Sequence, residues 1–354
     1  MLDAHLYHGA YLIVVTIFSV IIATRPSLHV KNDKFLAWGV MFLMILFIGF
    51  RPENGVFVDM MNYVQSYYVF VDGISFRWDS QAENFLFDNY FAFVGSQKLG
   101  TTFFFVTIAA IYFGCAYWGI SRLFPKNTLM AYLAFLGAFS TFSYGTNGVK
   151  AGAAASMFIL ALSYYDNKVI CMLLMLVTLG FHHSMTMPIA AFVLALLWKN
   201  PKHFFWGWLF CLACALAHIS FFQQLFAGFT DEHGAGYLNS INTDWGEKSG
   251  LRIDFVLYSA MPVLVGYYAI YKKKLQSKTY AILLKIYLTT NGVWMLCMYA
   301  AFTNRIAYLS WSIYPLVLIY PLLEADWGVR HYVTVARVFM AHLAFTLFMV
   351  FVYY

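Results

Sequence analysis

The chain has 354 residues, of which 62% are hydrophobic, 20% aromatic and only 11% charged, with a formal net charge of +6. Soluble domains carry roughly 45–50% apolar and about 25% charged residues, so an ordinary soluble enzyme and a disordered chain are both excluded. The basic residues are scattered over many short turns, which argues against a nucleic-acid partner and for orientation in a lipid bilayer.

A spanning helix needs about 20 mainly apolar residues. The apolar runs here are continuous, unlike the roughly 10-residue alternating segments of a β-barrel, so the fold class is all-α, a polytopic integral membrane protein. In chain order, spans are predicted near 7–24, 35–50, 100–121, 128–145, 149–165, 168–182, 185–198, 203–222, 253–271, 280–301, 306–323 and 333–353. That gives about twelve transmembrane helices in a single multi-span domain, 1–354. The first run has no positive n-region and no small-residue cleavage site, and reads as a membrane helix rather than a signal peptide. The short piece 84–97 contains Asp88 and reads as a re-entrant or interfacial helix. The five cysteines, Cys115, Cys171, Cys211, Cys214 and Cys297, lie in apolar runs and read as small buried hydrophobes.

Lys and Arg set the orientation. Arg25, Lys31 and Lys34 occupy one turn, Arg122 and Lys126 a second, Lys199 and Lys202 a third, and Lys272, Lys273, Lys274 and Lys278 a fourth. Threading the spans as above puts all four on one side, which is then cytoplasmic. The long segments 51–99 and 223–252 fall on the outer face, where long loops commonly carry function.

Against that rule stand four outer cations at helix ends: Arg51, Lys150, Arg252 and Arg305. Arg grips phosphate with a planar fork and Lys as a point charge. Lys150 and Arg305 also open helices, whose free N–H groups favour anions. The pattern points to a phosphate or diphosphate site at the outer boundary. Asp59 and His182 are the candidate proton acceptors nearby, with Asp59 equally suited to pair with Arg51, and His182 to be a helix end satisfied by backbone. Asp254 reads as the ion-pair partner of Arg252. Tyr63, Asn147, Tyr237 and Trp245 are candidate glycan contacts, because aromatic faces and amides suit sugars. Small residues at 145–156 (GTNGVKAGAAAS) favour close helix packing beside Lys150. No metal-ligand spacing, P-loop or GxGxxG is present, so no metal and no cofactor is expected, and the donor substrate must arrive already activated.

At these residues the sequence resembles the EpsG family of bacterial polysaccharide polymerases, a Wzy-type group. The resemblance rests on Arg51-Pro52 through Asp59 and Tyr63, YGTNGVKAG at 144–152, FHHS at 181–184, LRIDFVLYSAMPVLVGYY at 251–268 and NRIAYLSWSIYPLVLIYPLL at 304–323. These blocks run in the family order and span most of the chain. At position 150 this sequence has Lys where the family more often has Arg, which keeps the charge and loses the fork. The resemblance implies a multi-pass protein of the bacterial inner membrane with its active site facing the periplasm. It implies joining of oligosaccharide repeat units carried on undecaprenyl diphosphate, in O-antigen or exopolysaccharide synthesis. It also implies a chain-length regulator as partner. On that view Arg51, Lys150, Arg252 and Arg305 hold the donor diphosphate, Arg305 stabilises the departing charge, and Asp59 or His182 takes the acceptor proton. The competing readings are an O-antigen ligase-like glycosyltransferase, a lipid-linked glycan transporter or flippase, and a membrane subunit without chemistry. A transporter site would lie near the bilayer midplane and show repeat symmetry, whereas these cations sit at one face.

Overall fold

The computed structural model describes residues 2–25, 27, 30–73, 75–219, 221–223, 250–300 and 303–353. Among them the regular structure is helical, without a strand. In chain order the helices are α1 (Tyr7–Ala23), α2 (Asp33–Gly49), α3 (Met60–Gly73), α4 (Phe85–Ser96), α5 (Thr101–Leu123), α6 (Thr128–Leu136), α7 (Thr141–Thr146), α8 (Val149–Leu162) and α9 (Lys168–Phe181). They continue with α10 (Thr186–Leu197), α11 (Pro201–Leu216), α12 (Ile253–Tyr267), α13 (Lys278–Leu296), α14 (Thr303–Trp311), α15 (Tyr314–Glu324) and α16 (His331–Phe348).

Each of the twelve expected stretches holds helix. Five helices are long and apolar enough to cross a membrane: Ala4–Ala23, Thr101–Leu123, Ile253–Lys272, Thr303–Glu324 and His331–Tyr353. Val149–Leu162, Lys168–Phe181 and His183–Leu197 are apolar but shorter. A 14-residue helix such as α8 or α9 reaches only about 21 Å, against the roughly 30 Å of a hydrocarbon core. The 84–97 piece forms α4, a helix of 12 residues and too short to cross alone. α3 was not anticipated: its sequence MMNYVQSYYVFVDG mixes polar and apolar residues and lacks an apolar run of spanning length.

Two expected spans are broken. The 128–145 run splits into α6 and α7 after Gly137. The carbonyls released by the break all find side-chain donors. Tyr11 Oη donates to Leu136, Thr141 Oγ1 to Phe135, His342 Nε2 to Ala134 and Thr346 Oγ1 to Gly137. Irregular backbone survives within a membrane protein only where such partners replace water. The 306–323 run splits into α14 and α15 just before Pro315, which has no N–H to continue the ladder.

The helices group into two compact units, residues 1–186 with 328–354, and residues 187–327. In the first, α5 lies between α2 and α8, α8 packs on α9, and α4 bridges α3 and α9. Its loops segregate to two ends. At one end Asp33 accepts the Leu129 N–H, Tyr117 Oη donates to the Lys34 carbonyl, and the Arg122 guanidinium lies 3.6 Å from the Tyr164 ring centre. These contacts gather the turns that carry Lys34, Arg122, Lys126 and Lys168. The opposite end holds Arg51, Asp59, Glu83, Lys150 and the histidine pair.

In the second unit, α11 packs along α13, and α13 also meets α14 and α15. One amide ties four helices together. Asn291 on α13 donates to Ser259 Oγ on α12 and Ser310 Oγ on α14, both at 3.1 Å, and accepts from Trp208 Nε1 on α11 at 2.8 Å. Trp311 Nε1 also donates to Ser259 Oγ. Every polar group of this knot is satisfied, as a low-dielectric interior requires. The basic turns of this unit share an end too: Phe205 at the start of α11 contacts the rings of Tyr267 and Tyr271 beside Lys272. Within each unit, then, the turns expected on one side lie together.

Candidate functional site

The first unit contributes a cluster at its Arg51 end, and its helices dictate how. α8 and α9 have equal length and are joined by a short turn, so they run antiparallel and the end of α9 lies beside the start of α8. His182 and His183 therefore neighbour the turn that carries Lys150; the short helical turn 183–185 packs on α8. Close approach depends on glycine at two positions. A Cβ on Gly152 would collide with the Tyr144 carbonyl oxygen, and one on Gly180 would lie 2.6 Å from Leu86 Cγ. The first fits α7 against α8, and the second fits α4 against α9.

Arg51 is 5% exposed. Its Nη1 donates to the Ile48 carbonyl at 2.8 Å and its Nη2 to the Thr146 carbonyl at 3.1 Å. Its guanidinium sits 4.5 Å from the Phe105 ring centre and 5.5 Å from that of Phe57. Burial pulls its pKa down to about 10, so the charge persists at neutral pH. Arg51 thus ties the end of α2 to the α7–α8 turn, with its fork engaged on backbone oxygens. No ion pair joins it to Asp59 among the described residues. Asp59 is half-buried just ahead of α3, where its carbonyl accepts the Tyr63 N–H. The Tyr63 ring packs among Phe87, Phe91, Phe104 and Phe105. Lys150 is half-buried in the first turn of α8. Beside it, Asn147 Oδ1 is buried with no hydrogen-bond partner among the described residues.

His182 caps α9 in an extended conformation, φ −157° and ψ 120°. Its Nδ1 accepts the Ser184 backbone N–H at 3.2 Å and lies 2.9 Å from Ser184 Oγ. His183 faces the other way, toward the α3–α4 connection. Its Nδ1 is 3.0 Å from Glu83 Oε1, and its backbone N–H donates to Asn84 Oδ1. His183 stands out in the sequence only together with His182, in the FHHS block at 181–184, and Glu83 does not stand out. His183 and Glu83 are 100 residues apart in the chain and meet only because α4 packs on α9; the one local hint is Gly180, two residues before the histidines.

The second unit holds the other two cations. Arg252 is buried, with Nε and Nη2 on the two Asp254 carboxylate oxygens at 3.0 and 2.6 Å and its plane 3.6 Å from the Phe255 ring centre. The expected Arg252–Asp254 pair is present, and it is bidentate. Arg305 is exposed in the first turn of α14. The start of that helix is fixed by Thr303, whose hydroxyl accepts from Trp294 Nε1 and donates to the Cys297 carbonyl. Arg51 and Lys150 thus belong to the first unit, Arg252 and Arg305 to the second. Tyr237 and Trp245 lie outside the described residues.

The first unit supplies a cation in the first turn of a helix, two imidazoles and carboxylates, and the second supplies Arg305 in the first turn of α14 and the Arg252–Asp254 pair, groups able to hold an anion or move a proton. The model of the EpsG family matches residues 34–354. No curated protein and no solved structure matches the chain. The match covers most of the sequence, and the chain belongs to the EpsG family, a polysaccharide polymerase-type group of membrane proteins.

Proposed function

We propose that this EpsG-family membrane protein polymerises oligosaccharide repeat units carried on undecaprenyl diphosphate, at the periplasmic face of a bacterial inner membrane. Family membership over residues 34–354 carries the reading. A hydroxyl of the incoming unit attacks the anomeric carbon of the growing chain. The C–O bond to the diphosphate breaks, and lipid diphosphate leaves with the electron pair. Charge grows on the departing oxygen, so preorganised cations accelerate the step. In the first unit Lys150 suits this role best, since it stands in the first turn of a helix and, unlike Arg51, makes no hydrogen bond to backbone carbonyls among the described residues; in the second unit Arg305 is exposed in the first turn of its helix. The Arg252 fork is occupied by Asp254, so Arg252 acts on the donor by exchanging that carboxylate for phosphate oxygens. The proton of the attacking hydroxyl passes to a base at the Arg51 end of the first unit, where Asp59 and His182 lie. A chain-length regulator is the expected protein partner.

The test uses purified full-length protein in nanodiscs with lipid-diphosphate-linked repeat unit from polymerase-deficient cells. A glycan ladder that persists in EDTA and is lost in Arg305→Ala is the expected result. A single transfer without a ladder favours a ligase-like enzyme. Translocation without new glycosidic bonds overturns the assignment.

A further inference from the structure

The two adjacent histidines are held in opposite tautomers, and we propose that His183, oriented by Glu83, is the base that takes the acceptor proton, while His182 is a hydrogen-bond donor. The inference rests on the polymerase reading and assigns the one proton transfer that reading leaves open.

The argument is a matter of donors and acceptors. His183 Nδ1 faces two oxygens, Glu83 Oε1 at 3.0 Å and Asn84 Oδ1 at 3.4 Å. The Asn84 oxygen is identified by its other bond, because it accepts the His183 backbone N–H. A carboxylate and an amide oxygen only accept, so Nδ1 carries the hydrogen and the lone pair of the neutral ring is on Nε2. His182 is the reverse. Its Nδ1 accepts a backbone N–H, that of Ser184, so its lone pair is on Nδ1 and its Nε2 bears the hydrogen. The rings lie 5.2 Å apart and within 28° of parallel, with an acceptor Nε2 assigned to His183 and a donor Nε2 to His182. Sequence alone makes the two histidines equivalent; their partners make them different.

The rest of the surroundings fits a working base. The His183 and Glu83 side chains are 42% and 46% exposed, so a glycan hydroxyl has access. Asn84 is 1% exposed, and its backbone N–H donates to Asp88 Oδ2 at 2.9 Å. Its Nδ2 is buried with no hydrogen-bond partner among the described residues. A carboxylate that fixes the tautomer of an imidazole base is a recurring arrangement in acyl transfer. Asp59, by contrast, has no contact with either ring among the described residues. In the reaction the acceptor O–H proton moves to His183 Nε2 as the new C–O bond forms and the C–O bond to diphosphate breaks. The imidazolium then gives that proton to water.

The experiment combines kinetics with imidazole ¹⁵N spectra of the full chain in nanodiscs, using the lipid-linked repeat unit of the polymerase assay. His183→Ala is expected to lower kcat by about 100-fold or more, with donor KM nearly unchanged and partial restoration by added imidazole. Glu83→Ala lowers kcat, and Glu83→Gln, whose oxygen still accepts from Nδ1, restores part of it. The spectrum shows one histidine with the hydrogen on Nδ1, lost in His183→Gln and shifted to Nε2 in Glu83→Ala. An intact ladder from His183→Ala overturns the inference and leaves the polymerase reading standing. A wild-type chain that makes no ladder overturns both. If His183→Ala fails to fold, the Glu83 pair and the spectrum decide: an unchanged rate in Glu83→Ala, or hydrogen on Nε2 of wild-type His183, refutes the assignment.

Discussion

The Arg51 guanidinium has two donors on the carbonyls of Ile48 and Thr146 and lies against two rings. That arrangement separates two roles that sequence reading merged, holding the protein together and holding a ligand. A buried cation is tolerated when its donors are paired, and removing the pairing leaves carbonyls stranded at about 1–3 kcal/mol each. Arg51→Lys keeps the charge but not the planar reach to both oxygens. It is expected to lower stability in detergent by roughly 1–3 kcal/mol, with apparent kcat falling only as far as folded protein is lost and donor KM unchanged. A large rise in donor KM at unchanged thermal stability instead makes Arg51 a direct diphosphate ligand. The comparison with Arg305 sharpens the point. Arg305 is exposed in its helix's first turn, so its truncation is expected to spare stability and remove activity.

At the scale of elements, the α7–α8 turn is the tightest feature near the cluster. Gly152 lets the first turn of α8 lie on the Tyr144 carbonyl, and a methyl there meets backbone rather than a movable side chain. Gly152→Ala is therefore expected to destabilise by roughly 1–3 kcal/mol and to displace Lys150. Gly55→Ala, at an exposed turn with nothing within 4 Å of the added carbon, serves as the neutral control. Equal thermal stability of the two variants refutes the steric argument. Much of this architecture was readable beforehand. Asn167, Asn200 with Pro201, and Ser277 cap α9, α11 and α13 where the apolar runs begin. The breaks were less readable. Pro315 announces one, but the break after Gly137 depends on Tyr11, His342 and Thr346, which come from distant parts of the chain. The site was legible by residue type more than by pairing. Cations at helix ends stand out against the positive-inside rule, and the Arg252–Asp254 pair is local. The Glu83–His183 contact is long-range and leaves no spacing to find.

At the scale of the whole molecule, the charge pattern makes a demand that helix length alone does not meet. Five helical stretches have the length and apolarity to cross a bilayer, one of them, Thr303–Glu324, interrupted before Pro315, while several others are short. Yet within the first unit the Lys34, Arg122, Lys126 and Lys168 turns lie at one end, and Arg51, Asp59, Glu83 and the histidines at the other. Short loops rich in Lys and Arg are retained on the cytoplasmic side, so the histidine end is expected to face the periplasm. Two single-cysteine insertions check this in intact cells: Gly55→Cys in the exposed turn after α2, and Gln276→Cys in the exposed basic loop before α13. The native thiols lie within helices α5, α9 and α11 or at the end of α13, and are replaced by Ala in the background, preserving small apolar volume. A membrane-impermeant maleimide is expected to label Cys at 55 in intact cells and Cys at 276 only after permeabilisation. Labelling of both before permeabilisation places the acidic and basic turns on one side and overturns the threading. Labelling of 276 alone inverts it, putting His183 and Glu83 in the cytoplasm, where a lipid-linked donor flipped outward is out of reach.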